Sequence, residues 1–162
     1  MAEATSEFKI VIVGGSGVGK SSVVKSFCGN VEEDLEAVGQ KAAADQQVVT
    51  KRIEIQGKDI SLKIIDTAGS VLENQVYTRK LYKGAKGIMV IYDVTHKRSF
   101  EDVPKWLQDI DEFATDHGVY FLEVSGNTGV QVKEAFDLMT EEILLTENHG
   151  QATAQPNRCY LL

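Results

Sequence analysis

The residues best suited to chemistry form a glycine-rich octapeptide, Gly14-Gly15-Ser16-Gly17-Val18-Gly19-Lys20-Ser21. It satisfies the pattern G-x-x-x-x-G-K-[ST] and lies between a predicted strand and a predicted helix, the context that this pattern requires. Glycine tolerates the dihedral angles that let backbone N–H groups surround phosphate oxygens, and the helix N-terminus adds its positive dipole end. We expect Lys20 to reach the β- and γ-phosphates and the Ser21 hydroxyl to bind Mg²⁺, with Ser22 beside them. The octapeptide therefore predicts a nucleotide-phosphate site rather than a simple turn.

A second motif, Asp66-Thr67-Ala68-Gly69, follows a predicted strand further along the chain. The Asp66 carboxylate can hold the Mg²⁺ shell through water, and the Gly69 N–H can contact a γ-phosphate. Alone, D-x-x-G is typical of a turn after a strand. Because it lies downstream of a phosphate loop and after a hairpin, we interpret it as the second half of the same site.

Apolar runs and helical periodicity predict the elements that position these motifs. The predicted strands are Phe8–Val13, Val48–Ile55, Ile60–Ile65, Gly87–Tyr92 and Val119–Val124. The second and third predicted strands surround Gln56-Gly57-Lys58-Asp59, which indicates a hairpin. The predicted helices are Ser21–Cys28, Phe100–Phe113 and Val132–Leu144, the second capped by Ser99 with Asp102 and the third by Thr128 with Gln131. Together they predict a three-layer α/β fold, with a mostly parallel sheet of about five strands and one antiparallel edge strand from the hairpin.

Length and composition limit the class of protein. The 162 residues fit one domain, which we place at 8–147 between a polar N-terminal tail, 1–7, and a polar C-terminal tail, 148–162. No signal peptide or membrane span is evident. The formal charge of −7 argues against a nucleic-acid surface. Two cysteines, Cys28 and Cys159, are too few for a disulfide framework, which favours a reducing compartment, and Cys28 is expected in the core.

These motifs together resemble the Ras superfamily of small GTPases, and the Rab branch most closely. The resemblance also rests on Val90–Thr95, on Ser99–Val103 and on Glu123–Gly129, which is similar to the last loop of that family, usually E-T-S-A-K-T-G. It extends from Phe8 to Leu144. It implies a P-loop fold that binds GTP or GDP with Mg²⁺, and partners such as exchange factors, activating proteins and effectors.

The chain departs from this family where guanine is recognised. Members carry N-K-x-D at the end of the fifth strand, and this sequence contains no such tetrapeptide. Residues 114–117 lead directly towards the next strand, as though one strand–helix unit were deleted. In the last loop Ser125 remains, and the Gly126 N–H can still meet a purine oxygen. Glu123 is the nearest acid, and it is better explained as the solvent-facing end of a strand.

The hydrolytic residues have changed as well. The family places a metal-binding Thr before the hairpin, but this sequence has no Thr from Ser22 to Val49, and the register falls on Ala43 or Ala44. The aromatic residue that covers guanine in the family is absent, and Val31 or Glu32 occupies that stretch. Ser70 stands where the family has its water-positioning Gln, and its hydroxyl is shorter. The resemblance thus assigns catalysis to Lys20 and Ser70, with slow hydrolysis.

The last four residues, Cys159-Tyr160-Leu161-Leu162, fit the C-a-a-X prenylation pattern with Leu last, the geranylgeranyl type. A cysteine can also stand four from the end by chance, and Tyr160 is not aliphatic. One prenyl chain binds membranes only marginally, and Arg158 is the one Lys or Arg in the tail after Thr146. We expect a cytoplasmic protein that attaches reversibly to the cytosolic face of a membrane.

Three interpretations therefore remain open. The first is a small GTP-binding switch in membrane traffic or signalling, with weakened guanine recognition. The second is a pseudo-GTPase, an interaction module that binds nucleotide weakly or not at all. The third is a shortened isoform, or a mistaken gene model, of a complete small GTPase.

Overall fold

A five-stranded sheet organises the part of the chain that the structure describes, which is residues 5–15, 17–28, 46–67, 81–93, 95–108, 110, 120–125 and 132–148 of this computed structural model. The strands are β1 Ser6–Val13, β2 Gln46–Ile55, β3 Lys58–Thr67, β4 Ala85–Tyr92 and β5 Tyr120–Ser125. The helices are α1 Lys20–Cys28, α2 Lys97–Glu101 and α3 Val132–Asn148, and residues 103–108 and 110 are also helical.

The strand order is β2-β3-β1-β4-β5. Strand β1 runs parallel to β3 and β4, and β4 runs parallel to β5. Strand β2 pairs antiparallel with β3 at one edge. The predicted mostly parallel α/β sheet with one antiparallel edge strand is confirmed. Because the central strands are parallel, their carboxyl ends lie side by side along one end of the strands, here called the carboxyl edge of the sheet. Ligands of open α/β sheets bind there.

The hairpin between β2 and β3 is tighter than predicted. Its turn consists of two residues, Gln56 and Gly57, with φ angles of +52° and +74°. Positive φ at both central residues matches the right-handed twist of the flanking strands, so two residues suffice to join them. The strands are correspondingly longer than the predicted runs, and Gln46 pairs with Thr67 at the far end of the hairpin. Residues 29–45, which precede the hairpin, lie outside the described residues.

Helices cover both faces of the sheet, which confirms the three layers. On one face α1 and α3 pack on the central strands, and the rings of Phe27 and Phe136 stack with centroids 4.0 Å apart. Cys28 is half-buried against this cluster, as expected for a small core residue. The buried cluster on the other face includes Val103, Trp106 and Ile110 from the helical residues after α2.

The start of α2 differs from the prediction. The helix begins at Lys97 after His96, whose side chain makes no capping hydrogen bond. Ser99 lies inside the first turn and is buried, so the predicted capping pair of Ser99 with Asp102 is wrong. The Ser99 hydroxyl instead lies 2.7 Å from the His96 carbonyl oxygen and accepts a hydrogen bond from the Asp93 N–H at 3.0 Å. These hydrogen bonds connect the first turn of the helix to Asp93, directly after β4. They occupy the hydroxyl that would otherwise cap a helix.

The C-terminal helix agrees with its predicted periodicity. It extends over Val132–Asn148, somewhat beyond the predicted end, and the residues proposed to cap it lie outside the described part of the chain. None of the described helices is long and apolar enough to cross a membrane.

Candidate functional site

The glycine-rich loop connects β1 to α1 at the carboxyl edge of the sheet. Gly14, Gly17 and Gly19 have φ angles of +150°, +75° and +101°, which side chains rarely adopt. At Gly14 the loop also passes close to β4, because a Cβ there would lie 2.3 Å from the carbonyl oxygen of Ile91. Val18 is buried in the core and anchors the middle of the loop. The local backbone is therefore the one that the phosphate-binding pattern requires.

Lys20 opens α1 and folds its side chain back over this loop. Its ammonium nitrogen Nζ donates to the carbonyl oxygens of Gly14 and Gly15, at 2.9 and 2.6 Å. The residue is only 7% exposed. Burial lowers the pKa of Lys20 from its ordinary value, and the negative charge of Asp66 partly opposes this shift. A cation held against the phosphate loop is placed to pair with an entering anion.

Ser21 and Asp66 meet although they lie 45 residues apart in the sequence. The Ser21 hydroxyl Oγ donates to the Asp66 carboxylate Oδ2 at 2.7 Å. Asp66 is buried near the end of β3, in register with Ile12 of β1, which leads into the loop. These are the two side chains predicted from the sequence to bind the metal, and the structure brings them together.

The oxygen atoms of this pair fit Mg²⁺. This cation prefers hard oxygen ligands and commonly takes one or two carboxylates, with the substrate phosphates and water completing its shell. No group of three or more His, Cys, Asp or Glu side chains that could cage a metal lies among the described residues. The pair supplies one hydroxyl and one carboxylate, as expected for a metal that arrives with a phosphate chain.

Thr67 has a role that sequence reasoning missed. Its buried hydroxyl donates to the Ile12 carbonyl oxygen at 2.7 Å. This bond adds a side-chain link between the ends of the paired strands β3 and β1, next to Asp66. The signal in the sequence was a hydroxyl residue directly after the carboxylate, but its partner on another strand depends on the register of the sheet.

The remaining predicted site residues are less fully described. Ser22 is exposed on α1, next to Ser21. Ser125 ends β5 and pairs with Tyr92 of β4. Five predicted residues lie outside the described part of the chain: Ser16, Gly69, Ser70, Gly126 and Cys159.

Comparisons with known proteins agree with this geometry. The model of the Ras family matches residues 9–118. Ras-related protein Rab-10 of Caenorhabditis elegans is 31% identical over 184 aligned positions, which take in 92% of this chain and 89% of that protein. Ras-related protein Rab-10 of Diplobatis ommata is 31% identical over 167 positions, which cover 85% of this chain and 81% of that protein.

The first alignment also bears on chain length. Its 184 positions exceed the 162 residues present here, so the alignment contains gaps in this chain. Family match, relatives and phosphate-loop geometry agree. This chain belongs to the Ras family of small GTPases, and within it lies close to the Rab proteins.

Proposed function

We propose that the protein is a Mg²⁺-dependent nucleotide switch of membrane traffic or signalling, with weakened guanine recognition and slow GTP hydrolysis. The observation that carries the proposal is the convergence of Lys20, Ser21 and Asp66 on the glycine-rich loop. Exchange factors, activating proteins and effectors are the partners expected for such a switch. The family supports GTP binding in general, and the finer properties follow from the residues that this chain has lost.

The glycine-rich loop and Lys20 would together hold the phosphate chain. The Lys20 ammonium donates to two loop carbonyls, which keeps it over the loop. On binding, this ammonium turns towards the β- and γ-phosphate oxygens, and the loop N–H groups donate to the same phosphates. Ser21 and Asp66 would hold Mg²⁺, which when bound neutralises charge on the phosphates. Gly69 would contribute its N–H to the γ-phosphate.

We expect the protein to discriminate poorly between GTP and ATP. A site that hydrogen-bonds a particular substrate group rejects an analogue that lacks it by about 10⁴-fold, whereas a site without those partners cannot. This sequence has no N-K-x-D carboxylate to read guanine. Identifying the nucleotide that co-purifies with the protein, and titrating GTP and ATP with Mg²⁺ by calorimetry, tests both nucleotide binding and base preference.

Each result of this experiment has a distinct meaning. Similar affinities for the two nucleotides support the proposal. A GTP preference above about a thousandfold would show that another residue reads guanine, with Glu123 the first to be tested. If neither nucleotide binds, the protein is a pseudo-GTPase interaction module and the proposed switch is wrong.

We also expect slow hydrolysis. Catalysis of phosphoryl transfer depends on positioning and electrostatic stabilisation, and unassisted members turn over at only about 10⁻⁴ per second. Ser70 is too short to orient the attacking water as the family's Gln does. Loss of a contact worth about 1.5–3 kcal/mol lowers the rate by one to two orders of magnitude. Single-turnover hydrolysis of labelled GTP measures the rate. The variant Ser70→Gln is measured beside the wild type, and we expect it to restore little activity because the loop Thr is also missing. A wild-type rate equal to that of a complete relative would contradict this.

Membrane attachment is proposed to depend on Cys159. Replacing this residue by serine is expected to shift the protein from a mixed membrane and soluble distribution to a fully soluble one, because one prenyl chain supplies the apolar anchor. Fractionation of cells and intact-mass analysis give the two readouts. Cys28→Ser is the matched control. Because Cys28 is half-buried against the core, we expect this substitution to leave the lipid in place. A wild-type protein without added lipid mass would rule out the anchor.

A further inference from the structure

Strand β5 lies directly beside β4 in the sheet. The two strands pair in parallel from Gly87 opposite Tyr120 to Tyr92 opposite Ser125. Successive right-handed strand–helix units place each new strand beside the previous one. A unit inserted at 114–117, as in complete members of the family, would therefore stand between these two strands. In this chain β5 has taken the sheet position that such a strand would occupy.

The carboxyl end of β5 is consequently closer to the centre of the sheet than it would be in a complete member of the family. Neighbouring strands lie about 4.8 Å apart, so the end of β5 lies one such spacing closer to β1 and the phosphate loop than it would with the additional strand present. The resemblance places Ser125 and Gly126 at the purine. In this sheet the β5 end at Ser125 stands opposite Tyr92, in the first strand position beyond β4. A base pocket built between the ends of two successive strands cannot form in the same place.

Three described side chains of the site, those of Lys20, Ser21 and Asp66, lie at its phosphate end. Lys20 is buried and donates to the loop carbonyls, and the Ser21 hydroxyl donates a hydrogen bond to the Asp66 carboxylate. These groups recognise phosphate oxygens and a hard cation, and neither ligand depends on the identity of the base.

We infer that the ligand class of this site is the Mg²⁺-bound polyphosphate chain itself, with ribose and base adding little affinity. This inference rests on the proposed phosphate site and goes beyond weak guanine preference, since it extends to ligands that carry no nucleoside. Inorganic triphosphate is the simplest such ligand.

Calorimetric titrations with Mg²⁺ and GTP, ATP, inorganic triphosphate or guanosine test the inference. The first three ligands are expected to bind within about tenfold of each other, and guanosine is expected not to bind. Lys20→Ala is expected to weaken GTP and triphosphate by the same factor. The matched control is Lys25→Ala, which removes an exposed cation from the same helix.

Two outcomes would overturn the inference in different ways. If GTP and ATP bind more than about a hundredfold tighter than triphosphate, the nucleoside is recognised and the inference is wrong while the proposed function stands. If none of the phosphate ligands binds, the proposed function fails together with the inference.

The position of β5 can be tested independently of any ligand. Cross-strand amide contacts in nuclear magnetic resonance spectra are expected between β4 and β5, in the register that pairs Met89 with Leu122 and Ile91 with Val124. Their absence from a folded protein would remove the geometric basis of the inference, whatever the titrations give.

Discussion

Replacing Lys20 by alanine is expected to abolish the thermal stabilisation that Mg²⁺-GTP gives the protein. The Lys20 ammonium is the cation that the structure holds on the loop carbonyls, and no other side chain is bonded to both Gly14 and Gly15 among the described contacts. A ligand at one hundred times its dissociation constant stabilises the folded state by about 2.7 kcal/mol. For a domain of this size, that corresponds to a rise in melting temperature of about 5–10 °C.

The measurement is the melting temperature of each variant with and without Mg²⁺-GTP. Comparing the ligand-induced shift, rather than the melting temperature itself, separates binding from the stability that Lys20→Ala also loses with its two hydrogen bonds to the loop. Lys25→Ala is the matched control, because it removes the same charge from an exposed position of α1. Equal ligand-induced shifts in wild type and Lys20→Ala would mean that the nucleotide binds elsewhere or not at all.

The meeting of Ser21 with Asp66 was predictable because it follows from topology. A phosphate loop after one parallel strand and a D-x-x-G motif after its neighbour must share the carboxyl edge of the sheet. Alternating and continuous apolar runs located all five strands of the described sheet to within a few residues. These patterns predict strands well because a strand buried on one or both faces must carry apolar residues at the buried positions. This holds whichever strands it pairs with.

Features that depend on register and tertiary contacts were not predictable. The Thr67 hydroxyl finds its acceptor on β1, and the Ser99 hydroxyl bonds to the end of β4 instead of capping a helix. The Thr67 acceptor lies on another strand and the Ser99 partner Asp93 lies just after β4, so neither partner follows from a capping pattern. The hairpin was predicted around 56–59, and the structure closes it within Gln56 and Gly57, where the non-glycine residue Gln56 adopts positive φ.

The direct pairing of β4 with β5 shows how the sheet is completed in a chain that lacks the N-K-x-D motif. The missing N-K-x-D indicated a deletion, but a deletion alone does not say which strand takes the vacated position. Hydrogen bonding decides this, because a gap between β4 and β5 would leave two rows of backbone N–H and C=O groups unpaired inside the sheet. Closing the gap satisfies those groups and moves the β5 end towards the phosphate loop. In the inference made above, this closure accounts for the small contribution of the base to binding.

Gly14→Ala is expected to destabilise the protein strongly and to disrupt nucleotide binding with it. The new Cβ would lie 2.3 Å from the Ile91 carbonyl oxygen, a backbone atom that cannot rotate away, and the φ of +150° is itself strained for alanine. Strained dihedrals and overpacking each cost about 1–3 kcal/mol, so we expect a loss of about 2–6 kcal/mol in the free energy of unfolding. Relief of the clash moves the loop away from β4 and so displaces the carbonyls that hold Lys20.

Gly15→Ala is the matched control, since it adds the same methyl group one residue further along the loop. Its Cβ would lie 3.6 Å from a Val18 methyl carbon, an ordinary van der Waals contact, and we expect its stability to stay within about 1 kcal/mol of wild type. Urea denaturation followed by circular dichroism gives both free energies, and titration with Mg²⁺-GTP gives the binding. Similar values for the two variants would show that the loop does not pass against Ile91. Normal binding by a destabilised Gly14→Ala would show that the position of the loop carbonyls does not govern Lys20.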